Sequence, residues 1–321
     1  MSDVAVVPPS SLLLATDLSA RGDRAFDRAV QLARQWRARL VVATVLPSLQ
    51  ELDFHDAITG TPPWQRPALL AQLVEQRLRR DLEVNNVDLD VHVESGAVGP
   101  ALLRVAQACD CGLIVAGVAR NALFTQPHLG SSVAWLARHS TLPLLVVHRR
   151  VHGPYRSMAW ASDASATAAR ALRVALDLLG EPVALTALHG FQVSRLGQRD
   201  AHAAAARAQA QERARAALHA SLDGLGLPTG LRGILETVIA EGDPARLLRD
   251  YVRDHDTELV VVGGHGRSAL TGLLLGDVAG RILNTVQTDT LFVRDRGKAD
   301  AQAETQAETQ AETQAQTQMS A

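Results

Sequence analysis

Leu259-Val-Val-Val-Gly-Gly-His-Gly-Arg-Ser-Ala-Leu-Thr-Gly-Leu-Leu-Leu-Gly-Asp-Val-Ala-Gly-Arg-Ile-Leu283 is the stretch on which the fold turns. Residues 259–262 are a short β-branched apolar run, the pattern of a buried strand, and the glycines that follow let the backbone turn sharply. After a loop, Gly276 opens a segment whose apolar residues Val278, Ile282 and Leu283 are expected on one side of a helix. A strand, a glycine turn and a helix N-terminus enclose a concavity. Free backbone N–H groups and the positive end of the helix dipole point into it, which makes it a place to hold an anion such as phosphate.

The same arrangement occurs earlier in the chain. Residues 113–118 are an apolar run that contains Gly117 and is followed by Arg120, and Gly130-Ser131-Ser132 opens a second helical segment. Gly117 and Gly263, Gly130 and Gly276, Gly96 and Gly242, and Asp17 and Asp163 each lie 146 positions apart. Four landmarks at one offset mark a duplicated domain. The expected organisation is an N-terminal extension (1–10), a first domain (11–148), a linker (149–155), a second domain (156–296) and a tail (297–321). The tail is built of Ala-Glu-Thr-Gln repeats, too polar to bury the surface that would offset its ordering entropy, and is expected to be disordered.

Within each domain, strands alternate with helices. In the first, strands are expected over 12–15, 40–46, 87–93, 113–118 and 143–147, with helices from 25 to about 37, 68–83, around 102–106 and after Gly130. In the second, strands are expected over 157–161, 183–188, 235–240, 259–262 and 290–293, and an alanine-rich segment, about 200–222, is a strong helix former. This alternation predicts an α/β fold, a parallel sheet covered on both faces with right-handed crossovers and a ligand site at the carboxyl ends of the strands. A long, partly apolar loop at 47–67, with Pro62, Pro63 and Trp64, is placed to fold over that end.

Composition bounds the alternatives. With 321 residues, 47% of them hydrophobic, the chain can bury two cores of ordinary domain size. A formal net charge of -2 gives no general attraction to nucleic acid or membrane, and no apolar run approaches the ~20 residues of a membrane span. The N-terminus lacks a basic start followed by an apolar core, so the expected location is cytoplasmic. Cys109 and Cys111 read as inert packing thiols, too close for an ordinary disulfide and too few for a tetrahedral metal site. No metal-spaced histidine and carboxylate cluster, nucleophile elbow or Gly-x-x-x-x-Gly-Lys loop is present, so no metal site and no catalytic residue is expected.

With these residues in view, each half resembles the universal stress protein family, and the whole resembles its tandem, two-domain form. The family signature for nucleotide reads Gly, two residues, Gly, nine residues, Gly, then Ser or Thr. The second half carries Gly263, Gly266 and Gly276 at that spacing, with His265 inside the loop; the first carries Gly117 and Gly130-Ser131-Ser132. The resemblance implies two open five-stranded, mostly parallel sheets of the adenine nucleotide alpha hydrolase-like kind. It implies a stress-response regulator rather than an enzyme, binding adenine nucleotide, ATP with magnesium, in at least one half. The Asp after the first strand, Asp17 or Asp163, would meet adenine beside Thr16 and the main chain near Val45 or Leu188. It further implies that residues 143–148 and 290–294 meet across a pseudo-twofold axis, making the halves a pseudo-dimer, with a homodimer of whole chains as a further partner state.

Each half departs once from the signature. Arg120 replaces the middle glycine of the first, and Asp277 replaces the hydroxyl residue of the second. A carboxylate about 4 Å from a phosphate charge costs on the order of 4 kcal/mol at an effective dielectric near 20, some three decades of affinity. Arginine at a left-handed turn costs roughly 1–2 kcal/mol, and its guanidinium regains part of that on phosphate. The first half is therefore the better candidate. Asp277 would cap its own helix, and Asp277→Ser would create or strengthen a site.

Plainer readings stand beside these. Ser131 suits a helix N-cap whatever the function, and Asp17 and Asp163 suit turns ahead of a helix. His265 and His189 read as solvated or packed side chains. The alternative for the whole chain is a nucleotide-free dimerisation and interaction scaffold whose sites have decayed.

Overall fold

The computed structural model describes residues 8–17, 23–46, 72, 76, 80, 87–118, 129–193, 202–264 and 277–294. The first half runs β1 (Ser11–Ala15), α1 (Asp23–Trp36), β2 (Arg39–Leu46), β3 (Leu89–Ser95), α2 (Val98–Ala108), β4 (Ile114–Gly117), α3 (Ser131–His139) and β5 (Leu144–Val147). The second runs β6 (Ser157–Ala161), α4 (Ala166–Leu179), β7 (Ala184–Phe191), α5 (His202–Leu225), α6 (Thr229–Ile234), β8 (Leu235–Glu241), α7 (Pro244–His255), β9 (Leu259–Gly264), α8 (Asp277–Thr285) and β10 (Asp289–Arg294). Of the helix expected over 68–83, Gln72, Gln76 and Arg80 are described; they are helical and exposed, the outward side of a helix at four-residue spacing. The loop at 47–67 and the tail lie outside the described residues.

All ten strands join one sheet in the order β3-β2-β1-β4-β5-β10-β9-β6-β7-β8. Pairings within each half are parallel, and β5 meets β10 antiparallel, with Thr290 opposite Val146 and Phe292 opposite Leu144. The second half of the order mirrors the first, so the junction carries the pseudo-twofold expected of segments 143–148 and 290–294. Two arginines mark it: Arg24 donates to the His148 carbonyl (2.5 Å) and Arg170, 146 positions on, donates to the Arg294 carbonyl (3.2 Å).

Strand alternation divides the core into two layers. Leu12, Leu14 and the fully buried Trp160 face α1 and α4, where Trp160 Nε1 donates to the Ala168 carbonyl at 2.9 Å. Leu13, Val41 and Val260 face the other way, against Leu102 of α2, Leu136 of α3, Leu248 of α7 and Ile282 of α8. The buried stripe of α8 is Ala279, Ile282 and Leu283, continued by Val286 just past its end, whereas Val278, expected on it, is 40% exposed. The i, i+3, i+4, i+7 series that faces the sheet passes through the smaller Ala279.

Gly96 (φ +101°) and Gly242 (φ +150°) make the equivalent turns from β3 into α2 and from β8 into α7, in a backbone region that only glycine enters without strain. The second of these turns is also capped. Asp243 accepts the Arg246 N–H, and Pro244 takes the first helical position, where its missing N–H costs nothing.

Candidate functional site

Strand order reverses at β1, which has β2 on one side and β4 on the other. The helices that follow β1 and β4, α1 and α3, pack on opposite faces of the sheet, so a crevice opens at the carboxyl ends of these two strands. In the first half it is a cavity of about 280 Å³, near the lower end of the roughly 300–1,000 Å³ of small-molecule sites. Ala15, Thr16 and Asp17 contribute the tip of β1, Val45 the end of β2, and Ala116, Gly117 and Val118 the tip of β4. Gly130, Ser131 and Ser132 bring the start of α3, and Val98 and Leu102 of α2 with Val133 and Leu136 of α3 supply an apolar wall.

The β1 tip is held by the Thr16 N–H, which donates to the Ala43 carbonyl at 3.0 Å and leaves the exposed Asp17 at the rim. On the opposite side, the Ala134 N–H donates to the Gly130 carbonyl (2.9 Å), closing the first turn of α3. The amides of Ser131, Ser132 and Val133 precede that bond, and no side chain caps the helix. These amides carry the positive end of the helix dipole towards the cavity. The site therefore has a polar, acidic rim at one end, an anion-attracting end at the other and an apolar wall between. All the described first-half residues expected from the signature lie on it; Arg120 falls outside the described residues. The apolar wall was not foreseen: the only signal for it was the i, i+4 pair Val98 and Leu102, indistinguishable in sequence from core.

Both halves match the universal stress protein family, over residues 10–148 and 154–294. The chain belongs to that family. No curated protein sequence matches it. Among solved structures, the chain is similar to a functionally unknown protein from Pseudomonas aeruginosa PAO1, with 17% identity and a TM-score of 0.61 over 90% of this chain and 94% of that one. It is also similar to a universal stress protein from Archaeoglobus fulgidus DSM 4304, with 16% identity and a TM-score of 0.60 over 89% and 98%. At such identities the likeness is one of fold, and it extends over both halves of a tandem universal stress protein.

The second universal stress protein half repeats the framework with different contents. Asp163 Oδ1 accepts the Ser165 N–H at 3.0 Å, a local turn ahead of α4. His189 Nδ1 lies 2.8 Å from the Ser162 carbonyl oxygen. Leu188 is not the counterpart of Val45. The Ser162 N–H donates to the Leu188 carbonyl (2.9 Å) as that of Thr16 does to Ala43, and Leu188 is a buried core residue opposite Ala161. β7 continues beyond the expected end to Phe191, and the residue at the Val45 register is Gly190. His265, Gly266 and Gly276 lie outside the described residues; Asp277 is the first residue of α8, with its side chain outside the description.

Three contacts fill or tie the second-half equivalent of the cavity. A Cβ on Gly190 would stand 3.1 Å from Pro244 Cγ, so α7 lies directly on the end of β7. The Phe292 ring occupies the space beside Gly264, where a Cβ would be 2.2 Å away; the first half has Val146 and Val118 at these positions. Arg281 of α8 pairs with Asp243 at the start of α7 (2.7 Å), joining the two helices whose first-half counterparts flank the cavity. Gly263 itself is crowded, since a Cβ there would meet the Thr167 carbonyl at 2.8 Å.

Burial pushes the Cys111 thiol up to about 11, which keeps it protonated at neutral pH and fits a packing role. No helix among the described residues is long and apolar enough to cross a membrane.

Proposed function

We propose that the chain is a stress-response regulator whose first half binds adenine nucleotide, ATP with the magnesium ion that the triphosphate brings, at a binding rather than a turnover site. One observation carries the proposal: Thr16, Asp17, Val45, Gly117, Gly130, Ser131 and Ser132, the positions to which the family signature points, converge on a single cavity at the strand reversal. Asp17 and the Val45 main chain would meet the base, and the ribose would cross Gly117. The phosphates would meet the Ser131 and Ser132 amides and hydroxyls at the α3 N-terminus, where charge-assisted hydrogen bonds contribute about 1.5–3 kcal/mol each. Among the described residues, the lining includes no histidine or lysine to act as base or phosphate clamp, which favours retention of ligand over turnover.

Asp17→Ala and Ser131→Ala are each expected to weaken ATP binding to the full chain by about ten- to 150-fold, the loss of one hydrogen bond to a charged group. Titration by calorimetry reads this directly, and affinity unchanged in both variants refutes the site. The three contacts that fill or tie the second-half equivalent favour a second reading there, an interaction scaffold without nucleotide. Native mass spectrometry of the purified chain separates the two: no bound nucleotide and no measurable affinity extends the scaffold reading to the first half.

A further inference from the structure

Asp90 and His92 stand two apart on β3, and their side chains therefore leave the strand on the same side. Cys109, the residue that ends α2, comes to the same spot. His92 Nε2 lies 3.2 Å from Asp90 Oδ2 and 3.4 Å from Cys109 Sγ, and Cys109 Sγ lies 4.0 Å from Asp90 Oδ2. We propose that Asp90, His92 and Cys109 form a three-ligand site for a divalent transition-metal ion of the zinc type, separate from the nucleotide cavity.

The donor set and the distances carry the assignment. Thiolate, imidazole and carboxylate are the ligand types of zinc sites, and three protein ligands leave a fourth position for water. A tetrahedral ion with bonds of about 2.3 Å to sulfur and about 2.0–2.1 Å to nitrogen and oxygen holds sulfur roughly 3.5 Å from the other two donors and nitrogen roughly 3.3 Å from oxygen. The nitrogen–sulfur and nitrogen–oxygen separations already agree, and the sulfur–oxygen one closes with a small rotation of Asp90, which is 35% exposed. Cys109 is 8% exposed and lies beneath, so the open side faces solvent.

A surface ion pair between Asp90 and His92 does not require a buried thiol behind it. Nor does the fold impose the triad. The positions 146 further on are Glu236, Val238 and His255; valine has no donor atom, and His255 stacks on Tyr251. The site lies near the opposite end of the sheet from the cavity, since Asp90 is the second residue of β3 and Cys109 follows the last of α2. A bound ion would fasten the edge strand β3 to the end of α2, where Arg39 already donates to the Cys109 carbonyl at 3.2 Å.

The test uses the full chain, Zn2+ in calorimetry and Co2+ in absorption spectroscopy. The expected result is one ion per chain, a thiolate-to-cobalt charge-transfer band and a higher thermal midpoint with Zn2+. Outer partners of metal ligands alone are worth roughly 10–100-fold, so His92→Gln and Cys109→Ser are each expected to weaken binding by more than about 100-fold. Cys111→Ser keeps full binding. His92 is part-exposed on an edge strand, so His92→Gln folds, which circular dichroism verifies. Absence of Zn2+ binding, a cobalt complex without the thiolate band, or affinity unchanged in His92→Gln overturns the proposal.

Discussion

Asp289→Ala is expected to lower the stability of the folded chain by about 3–5 kcal/mol, the cost of leaving a buried charge without its partner. Asp289 is fully buried at the start of β10. Its Oδ1 accepts the N–H groups of His148 and Arg149, both at 2.8 Å, and its Oδ2 accepts the Tyr155 hydroxyl at 2.6 Å. Arg28 of α1, 4% exposed, brings Nε to 3.5 Å of the same oxygen, lays its guanidinium 4.0 Å from the Tyr155 ring centre and donates to the Gly153 carbonyl. One carboxylate thus binds a helix of the first half, the linker and the last strand of the second. Alanine would strand the Arg28 charge and three donors together. Urea unfolding followed by tryptophan fluorescence reads the loss, and a loss below about 1 kcal/mol would contradict this account of the junction.

Tyr155→Phe gives the same cluster a pH signature. Burial first, then the Asp289 carboxylate, hold the Tyr155 hydroxyl well above its ordinary value of 10.0. A folded-state value raised above the unfolded one means that the contribution is complete below the ordinary value. It is lost as pH climbs above about 10, where the unfolded chain releases the proton and the folded chain does not. The wild-type stability is expected to fall more steeply than that of Tyr155→Phe in this alkaline window, and parallel profiles of urea midpoint against pH would count against it.

The Asp289 cluster also shows where sequence reading stops. Its counterpart 146 positions earlier is Pro143, which has no polar side chain, so a search guided by the repeat passes over it. The repeat did make the framework legible: β1 and β6 begin and end 146 positions apart, and both glycine turns at Gly96 and Gly242 carry positive φ. It misled at β7. Ser11 is opposite Arg39, but Ser157 is opposite Ala184, so the second half is one residue shorter there, and a strand without regular polar alternation gives no sign of the slip. The short helix α6 has no amphipathic period and depends on Leu231, 1% exposed, which only tertiary packing selects. Asp90, His92 and Cys109 are brought together by one strand and one helix end, a juxtaposition that no local spacing encodes.

Ser131→Asp is expected to remove nucleotide binding from the first half, with affinity falling by about three decades, while the fold keeps its stability. The substitution installs at α3 the residue that Asp277 provides at the equivalent position of α8. A carboxylate about 4 Å from a phosphate charge costs on the order of 4 kcal/mol at an effective dielectric near 20. For the helix alone the sign is opposite: Ser131 is exposed, the helix has no side-chain cap, and an acidic residue in the first turn contributes about 0.3–1 kcal/mol of stability. Binding and stability therefore move in different directions, which separates this outcome from a misfolded variant. The comparison with Ser131→Ala, where only a hydroxyl is lost, separates charge repulsion from loss of a hydrogen bond. Calorimetric titration with ATP and a thermal melt of the same sample measure both quantities, and near wild-type affinity in Ser131→Asp would show that the phosphates do not sit at this helix end. Adding Asp277→Ser to the Ser131→Asp chain then isolates the second half. Any affinity regained belongs to that site, and its size is limited by the Phe292 ring beside Gly264 and Pro244 on Gly190, which fill it, and by the Arg281–Asp243 pair, which ties its flanking helices.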